Sequence, residues 1–256
     1  MHKIKAFAAR NFKEILRDTL SYIFCLGFPL VMLVIMTLVD KSIPQEVGMT
    51  IFHIENLAGG IVVFGHTFIM LFTAITVAKD RSGAFLVRMY ATPMTSADFA
   101  LGYMLPMLGI ALAQGVLIGL CSLLVRVLSG GALTLGGVLL ALPVMLPSAV
   151  LFIGFGLLFG TLFSDKAAPG VCSIIISLGS FLGSIWFDAE ATGGVLFNIS
   201  RCLPFHYCTK SVRAAMQLNL TKDAFLLPLL IVCACAAAVV ALAAFVFSRK
   251  MKADLA

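Results

Sequence analysis

Residues 78–103 read AKDRSGAFLVRMYATPMTSADFALGY. Three basic residues and two acids gather here between long apolar runs, residues 59–78 before and 99–125 after, that hold almost no charge. Runs of that length match the roughly 20 apolar residues a helix needs to cross a bilayer. The charged island then becomes a connection between two membrane spans. Composition agrees with this reading. The chain is 61% hydrophobic and 12% charged, with mean hydropathy +1.08, against about 25% charged residues in a soluble domain. One water-facing globule cannot bury that much apolar surface, so the sequence predicts an all-α integral membrane protein.

Working outward, six apolar runs qualify as spans: about 22–39, 59–78, 99–125, 135–163, 167–186 and 224–247. Pro143 and Pro147 interrupt the fourth, so either a long helix kinks there or the span starts near Pro147. An even count puts both termini on one side. That side collects twelve of the eighteen Lys and Arg residues while the acids divide equally, which makes it cytoplasmic by the positive-inside rule. The expectation is a multi-pass protein of the plasma (cytoplasmic) membrane with both termini inside and no removable signal peptide. The basic balance is thereby explained by topology, and no nucleic-acid partner is implied. Residues 1–20 place Ile4, Phe7, Ala8, Phe12, Ile15 and Leu16 at helical spacing among basic residues, the pattern of an amphipathic helix lying in the interface.

Several function classes lose support. No G-x-x-x-x-G-K-[ST] or H-E-x-x-H motif is present, nor a metal-spaced Cys/His cluster, and the spans hold no paired carboxylates or Ser/His arrangement for membrane catalysis. An ion-coupled carrier needs ionisable or polar groups at mid-membrane. The spans offer only His66 and Gln114, and a lone histidine is more often a packed, hydrogen-bonded residue than a proton relay. Any driving energy therefore enters from outside the lipid, and if it is ATP, another polypeptide binds it. The opening stretch lies on the cytoplasmic side and reads as a short helix and a turn. Phe85, Leu86, Met89 and Tyr90 share one helical face, Arg81 and Arg88 another, and Thr92-Pro93 ends the helix. Thr95-x-x-Asp98 has capping-box spacing and would start span three.

The segment from Lys79 to Pro93, with Arg81, Gly83, Phe85, Leu86, Arg88, Met89, Thr92 and Pro93 in register and Ser82 inserted, resembles the cytoplasmic loop of type-2 ATP-binding-cassette (ABC) exporter permeases. Gly193–Met216, GGVLFNISRCLPFHYCTKSVRAAM, resembles the same family's external segment, with Pro204 and Arg213 in place. The resemblance spans essentially the whole chain. It implies a single transmembrane permease domain, 1–256, without a nucleotide-binding domain. It further implies a coupling helix over Asp80–Tyr90 that docks on a separate ABC ATPase, and a re-entrant pair of external helices between spans five and six. The ATPase subunits, two copies, would bind the ATP and Mg, and a second permease chain, identical or not, would complete the transporter.

For cargo, the residues suggest a hydrophobic or amphipathic compound (drug, antibiotic or lipid-like) along an apolar path. Its lining would be Phe64, Phe68, Phe72, Ile175 and Phe181, with His66 and Gln114 as the polar candidates, although lipid-facing packing explains the same residues. Competing readings are a polysaccharide or glycolipid permease of the same family, and an ion-coupled secondary transporter. Cys202 and Cys208 flank Pro204, where they either pair to pin the turn or stay two thiols in the outer leaflet. Three Gly-x-x-x-Gly pairs (115/119, 156/160, 179/183) are close to the roughly two expected by chance from 22 glycines, so they assign no dimer face.

Overall fold

A computed structural model describes residues 2–44, 49–83 and 94–254, and every regular element among them is a helix. In chain order these are α1 (His2–Arg17), α2 (Thr19–Ser42), α3 (Ile54–Ser82), α4 (Ser96–Ser129), α5 (Leu135–Val144), α6 (Leu146–Leu162), α7 (Ala168–Leu182), α8 (Ala189–Thr192), α9 (Gly194–Cys202), α10 (Pro204–Met216) and α11 (Leu227–Asp254). Among the described residues, five lengths of helix are long and apolar enough to cross a membrane: α2, α3, α4, α5 with α6, and α11 with its entry turn.

The centre of the bundle is α3. Within its most apolar stretch 83% of residues are buried, against 17% for α2 and for α11, so α3 is the core and the other two are its lipid-facing flanks. It packs on α6, α4, α7, α10 and α2. Glycine permits the tightest of these contacts. A Cβ on Gly160 would sit 2.6 Å from the Ala74 carbonyl oxygen and 2.7 Å from Val77 Cβ, and one on Gly156 would meet Met70 and Thr73. In a bilayer such close approach replaces the hydrophobic drive as the source of helix association. The Gly156/Gly160 pair is thus used inside the chain. Outward, Val31, Val34, Ile35 and Leu38 of α2, Leu112, Leu120 and Leu124 of α4, and Leu230 and Leu242 of α11 are all exposed, a belt suited to acyl chains.

Prolines shape the helices. Pro29 and Pro228 each follow a turn wound with i→i+5 hydrogen bonds, Ile23–Gly27 and Lys222–Leu226, which absorbs the missing N–H and the ring. Pro143 and Pro147 bracket a one-residue joint at Met145, so the fourth run is a kinked helix rather than a short span preceded by interfacial residues. The chain turns after α4 on Gly130, at φ +78°.

Two expectations change. The sequence places the fifth run at 167–186, but α7 stops at Leu182, because Gly183 leaves the helix and Ser184 takes φ +56°. Fifteen residues span about 22 Å, short of the roughly 30 Å hydrocarbon layer. The apolar face of α1 is also divided. Phe7, Asn11 and Ile15 are buried against the bundle, whereas Phe12 and Leu16 point outward.

Candidate functional site

At 29 residues, α3 is about 43 Å long and carries a different polar cluster at each end. The first lies around Asp80, in the last turn and 5% exposed. Its carboxylate accepts two hydrogen bonds from the Arg10 guanidinium of α1, Nη1 to Oδ2 at 2.7 Å and Nη2 to Oδ1 at 3.0 Å. Tyr103 of α4 donates a third, Oη to Oδ2 at 2.8 Å. A buried carboxylate with a bidentate arginine and a phenol is fully satisfied. Beside it, Asn11 Nδ2 donates to the Gly102 carbonyl at 3.0 Å, and Phe7 packs edge-on to Phe99 and Tyr103 with centroids 5.5 and 5.0 Å apart. Gly102 makes that seat, since any side chain there would collide with the Phe7 ring. One cluster therefore locks α1 to the last turn of α3 and the first turns of α4. Between those two lies the charged island.

The capping box expected at Thr95 is present. Thr95 N donates to Asp98 Oδ2 at 2.9 Å, and Asp98 N donates to Thr95 Oγ1 at 3.3 Å, starting α4 one residue later. The loop helix does not begin at Asp80 as expected. Asp80 and Arg81 lie in the last turn of α3, which ends at Ser82, and Gly83 caps it by donating its N–H to the Lys79 carbonyl. Phe85, Leu86, Arg88, Met89, Tyr90, Thr92 and Pro93 lie outside the described residues.

The opposite end is organised by Arg213 of α10. Its Nε donates to the Asn56 carbonyl at 2.8 Å and Nη2 to the Ile185 carbonyl at 3.4 Å, tying α10 to the start of α3 and to the turn after α7. Gly59 and Gly60 admit it, because a Cβ on either would stand 2.9–3.0 Å from its side chain. Next to it His206 Nδ1 is 3.1 Å from Ser184 Oγ and Nε2 is 3.3 Å from Glu190 Oε1, while Lys210 Nζ donates to Glu190 at 2.6 Å. Burial pulls His206 below its ordinary pKa despite Glu190, and pulls Arg213 down to about 10, with Asp188 opposing. For Glu190, burial pushes upward, but the hydrogen bond and charge of Lys210 outweigh it and the carboxyl lies below its usual range. Pro204 starts α10, and Leu203 alone separates it from α9. Cys202 and Cys208 are both free, the first exposed and the second fully buried in α10, so no bridge pins this turn.

The path residues divide into two groups. Phe64, Phe68 and Phe72 form one buried stripe of α3, packed by Phe24 and Phe28 of α2 and, at the end nearer the start of α3, by Trp186 with centroids 4.9 Å from Phe64. His66 and Gln114 are not on it. Fully buried, His66 Nδ1 meets Ser148 Oγ of α6 at 2.8 Å, and Gln114 Nε2 donates to the Val62 carbonyl at 3.2 Å, which makes both packing groups between helices. Ile175 is half-buried against the core, and Phe181 is exposed, with its ring tilted against Phe187 at 6.1 Å. Sequence reading missed Arg10, Asn11 and Tyr103 at one end, Ser184, Glu190, His206 and Lys210 at the other, and Phe24, Phe28 and Trp186 between. The Gly59-Gly60 pair opening a span was the available signal for a close polar approach.

Comparison with known proteins bears directly on this arrangement. The family model described as ABC-2 type transporter matches residues 2–217, from the start of α1 to the residue that caps α10. The chain belongs to the ABC-2 type transporter family. A search of curated proteins found no match. As an ABC-2 permease, the chain is a transport subunit rather than an enzyme, a multi-pass membrane protein of a family that normally works with an ATPase partner. Its two polar clusters then occupy the ends of the helix at the heart of the membrane domain.

Proposed function

We propose that this ABC-2 permease exports a hydrophobic or amphipathic compound, driven by ATP that two copies of a separate ABC ATPase bind with Mg and hydrolyse. The supporting observation is the Asp80 cluster. Because Arg10 and Tyr103 fasten α1 and α4 to the last turn of α3, a push on residues 84–93 reaches all three helices as one unit. An amphipathic segment with Phe85, Leu86, Met89 and Tyr90 on one face suits a groove on a soluble partner, with Arg88 at the rim. The charged end is cytoplasmic in this reading, α7 is the remaining crossing, and α9–α10 lie on the outer side.

Two ATPase copies call for two permease chains, with the cargo path between them. On each chain, the Phe64–Phe68–Phe72 stripe flanks that path. The stripe is built from phenylalanine and ends at the single tryptophan, Trp186, and it favours greasy cargo over sugar chains, which stack on Trp and Tyr. Co-purification tests the docking. The permease should retain its ATPase as wild type and lose it as Phe85→Asp or Met89→Asp while still inserting. Full retention in both variants would contradict the reading.

A further inference from the structure

Only one side of α1 is packed on the bundle. Phe7, Asn11 and Ile15 are buried there, and a helix turns by about 100° per residue, which sets Ala8, Phe12 and Leu16 next to them and Lys13 and Arg17 on the far side. Phe12 and Leu16 are 41% and 49% exposed. Such an apolar pair, left outside the packed face, is buried either by lipid or by a protein partner. Beyond the turn at Asp18 the exposed apolar residues resume with Leu20 and Ile23, and they run into the lipid-facing belt of α2 at Val31, Val34 and Leu38. This continuity with a membrane-spanning helix makes acyl chains the occupant of the Phe12–Leu16 side.

Charge then selects among lipids. The acids near α1 are engaged: Glu14 and Asp80 both hold Arg10, at 2.7 Å each, and Asp18 caps α2 by accepting from Leu20 N and Ser21 Oγ. Against these three acids stand six cations, Lys3, Lys5, Arg10, Lys13, Arg17 and Lys79. Lys5, Lys13 and Arg17 are exposed, and among the described residues they form no ion pair or side-chain hydrogen bond. Lys13 and Arg17 line a shallow groove along the helix with Ala6, Ala9, Arg10 and Glu14. Lys5 falls between Phe12 and Leu16 around the helix, and its four-carbon stem lets the ammonium reach past them to the head groups. We infer that α1 selects anionic phospholipid from its leaflet, with acyl chains against Phe12 and Leu16 and head-group phosphates on Lys5, Lys13 and Arg17. A basic amphipathic helix attracts such lipids by apolar burial and surface charge together. The inference goes beyond the exporter reading and rests on it only for naming that leaflet as the inner one.

Trp186 is the chain's only tryptophan, so moving the indole to α1 makes that helix the sole reporter. The experiment uses the full chain carrying Trp186→Phe and Phe12→Trp, in phosphatidylcholine nanodiscs with a small fraction of either brominated phosphatidylcholine or brominated phosphatidylglycerol. Bromine on an acyl chain quenches an indole that touches it. Both lipids should quench the indole at position 12, and phosphatidylglycerol should be enriched there about fivefold or more, the worth of one lysine or arginine at an anionic surface. Combining Lys5→Gln, Lys13→Gln and Arg17→Gln should make the two lipids equal, and about 0.5 M NaCl should shrink the difference in the parent. The wild-type chain gives an independent reading. Phosphatidylglycerol in mixed micelles should raise its Tm above the value with phosphatidylcholine, and the triple variant should lose that gain. Equal quenching by the two lipids, or an undiminished preference in the triple variant, would overturn the selection of anionic lipid. Quenching by neither would place Phe12 and Leu16 against a soluble partner and overturn the lipid site altogether. Failure of the exporter reading registers elsewhere, as the absence of an associated ATPase.

Discussion

Asp80 illustrates what one residue can hold together. Three donated hydrogen bonds converge on its carboxylate from two other helices. Asp80→Asn keeps the size but removes the charge, leaving Arg10 without its bidentate partner. Because Arg10 is about a third exposed, the expected loss is about 1–3 kcal/mol rather than the full cost of breaking a buried pair. Tyr103→Phe should cost about 1 kcal/mol. Thermal unfolding of the purified variants measures both. At the other end, His206 makes a pH-dependent contribution. An unfolded histidine takes up a proton below about pH 6.5, which buried His206 resists, so its contribution is complete above 6.5 and is lost as the pH falls from there toward its lower folded value. Tm should drop between pH 7 and 5.5, and the drop should be smaller in His206→Asn, with Glu190, Lys210 and Arg213 still facing the site. An identical drop in the variant would remove His206 from the account. The Thr95–Asp98 box was legible in the sequence because its partners are three residues apart. Arg10–Asp80, seventy residues apart, left no local pattern to read.

Among the elements, apolar run length located every long helix, and its errors have local causes. Nothing in the hydropathy of residues 167–186 marks the end of α7. The break depends on Ser184 at positive φ, held by His206 from twenty-two residues further on. The i→i+5 turns were hidden as well, although a proline two residues beyond each turn is a cue for them. Glycine spacing alone could not distinguish a chain-internal contact from a dimer face, but the packing does. Gly160→Ala should destabilise the protein by about 1–3 kcal/mol, because its Cβ meets backbone of α3 that cannot yield. Gly109→Ala, on an open face with nothing within 4 Å, should be neutral or slightly stabilising. Matching melting temperatures for the two variants would contradict the proposed packing.

The molecule as a whole is a lipid-facing shell around one buried helix whose ends differ in purpose. Its charged end ties three helices to the segment that resembles a coupling loop, and its other end gathers α8–α10 over an aromatic stripe. Composition made the membrane assignment unavoidable, and the loop motif made the family legible. The cluster around Arg213 stayed hidden because Arg213, Lys210, Ser184 and Asn56 are brought together only by the fold. The central claim is that work enters from a partner at the charged end. Its most direct measurement is transport of a fluorescent amphiphile in proteoliposomes, with and without the ATPase. The account predicts transport only when ATPase and ATP are both present, and its loss in Phe85→Asp. Transport by this chain alone down an imposed ion gradient would contradict it.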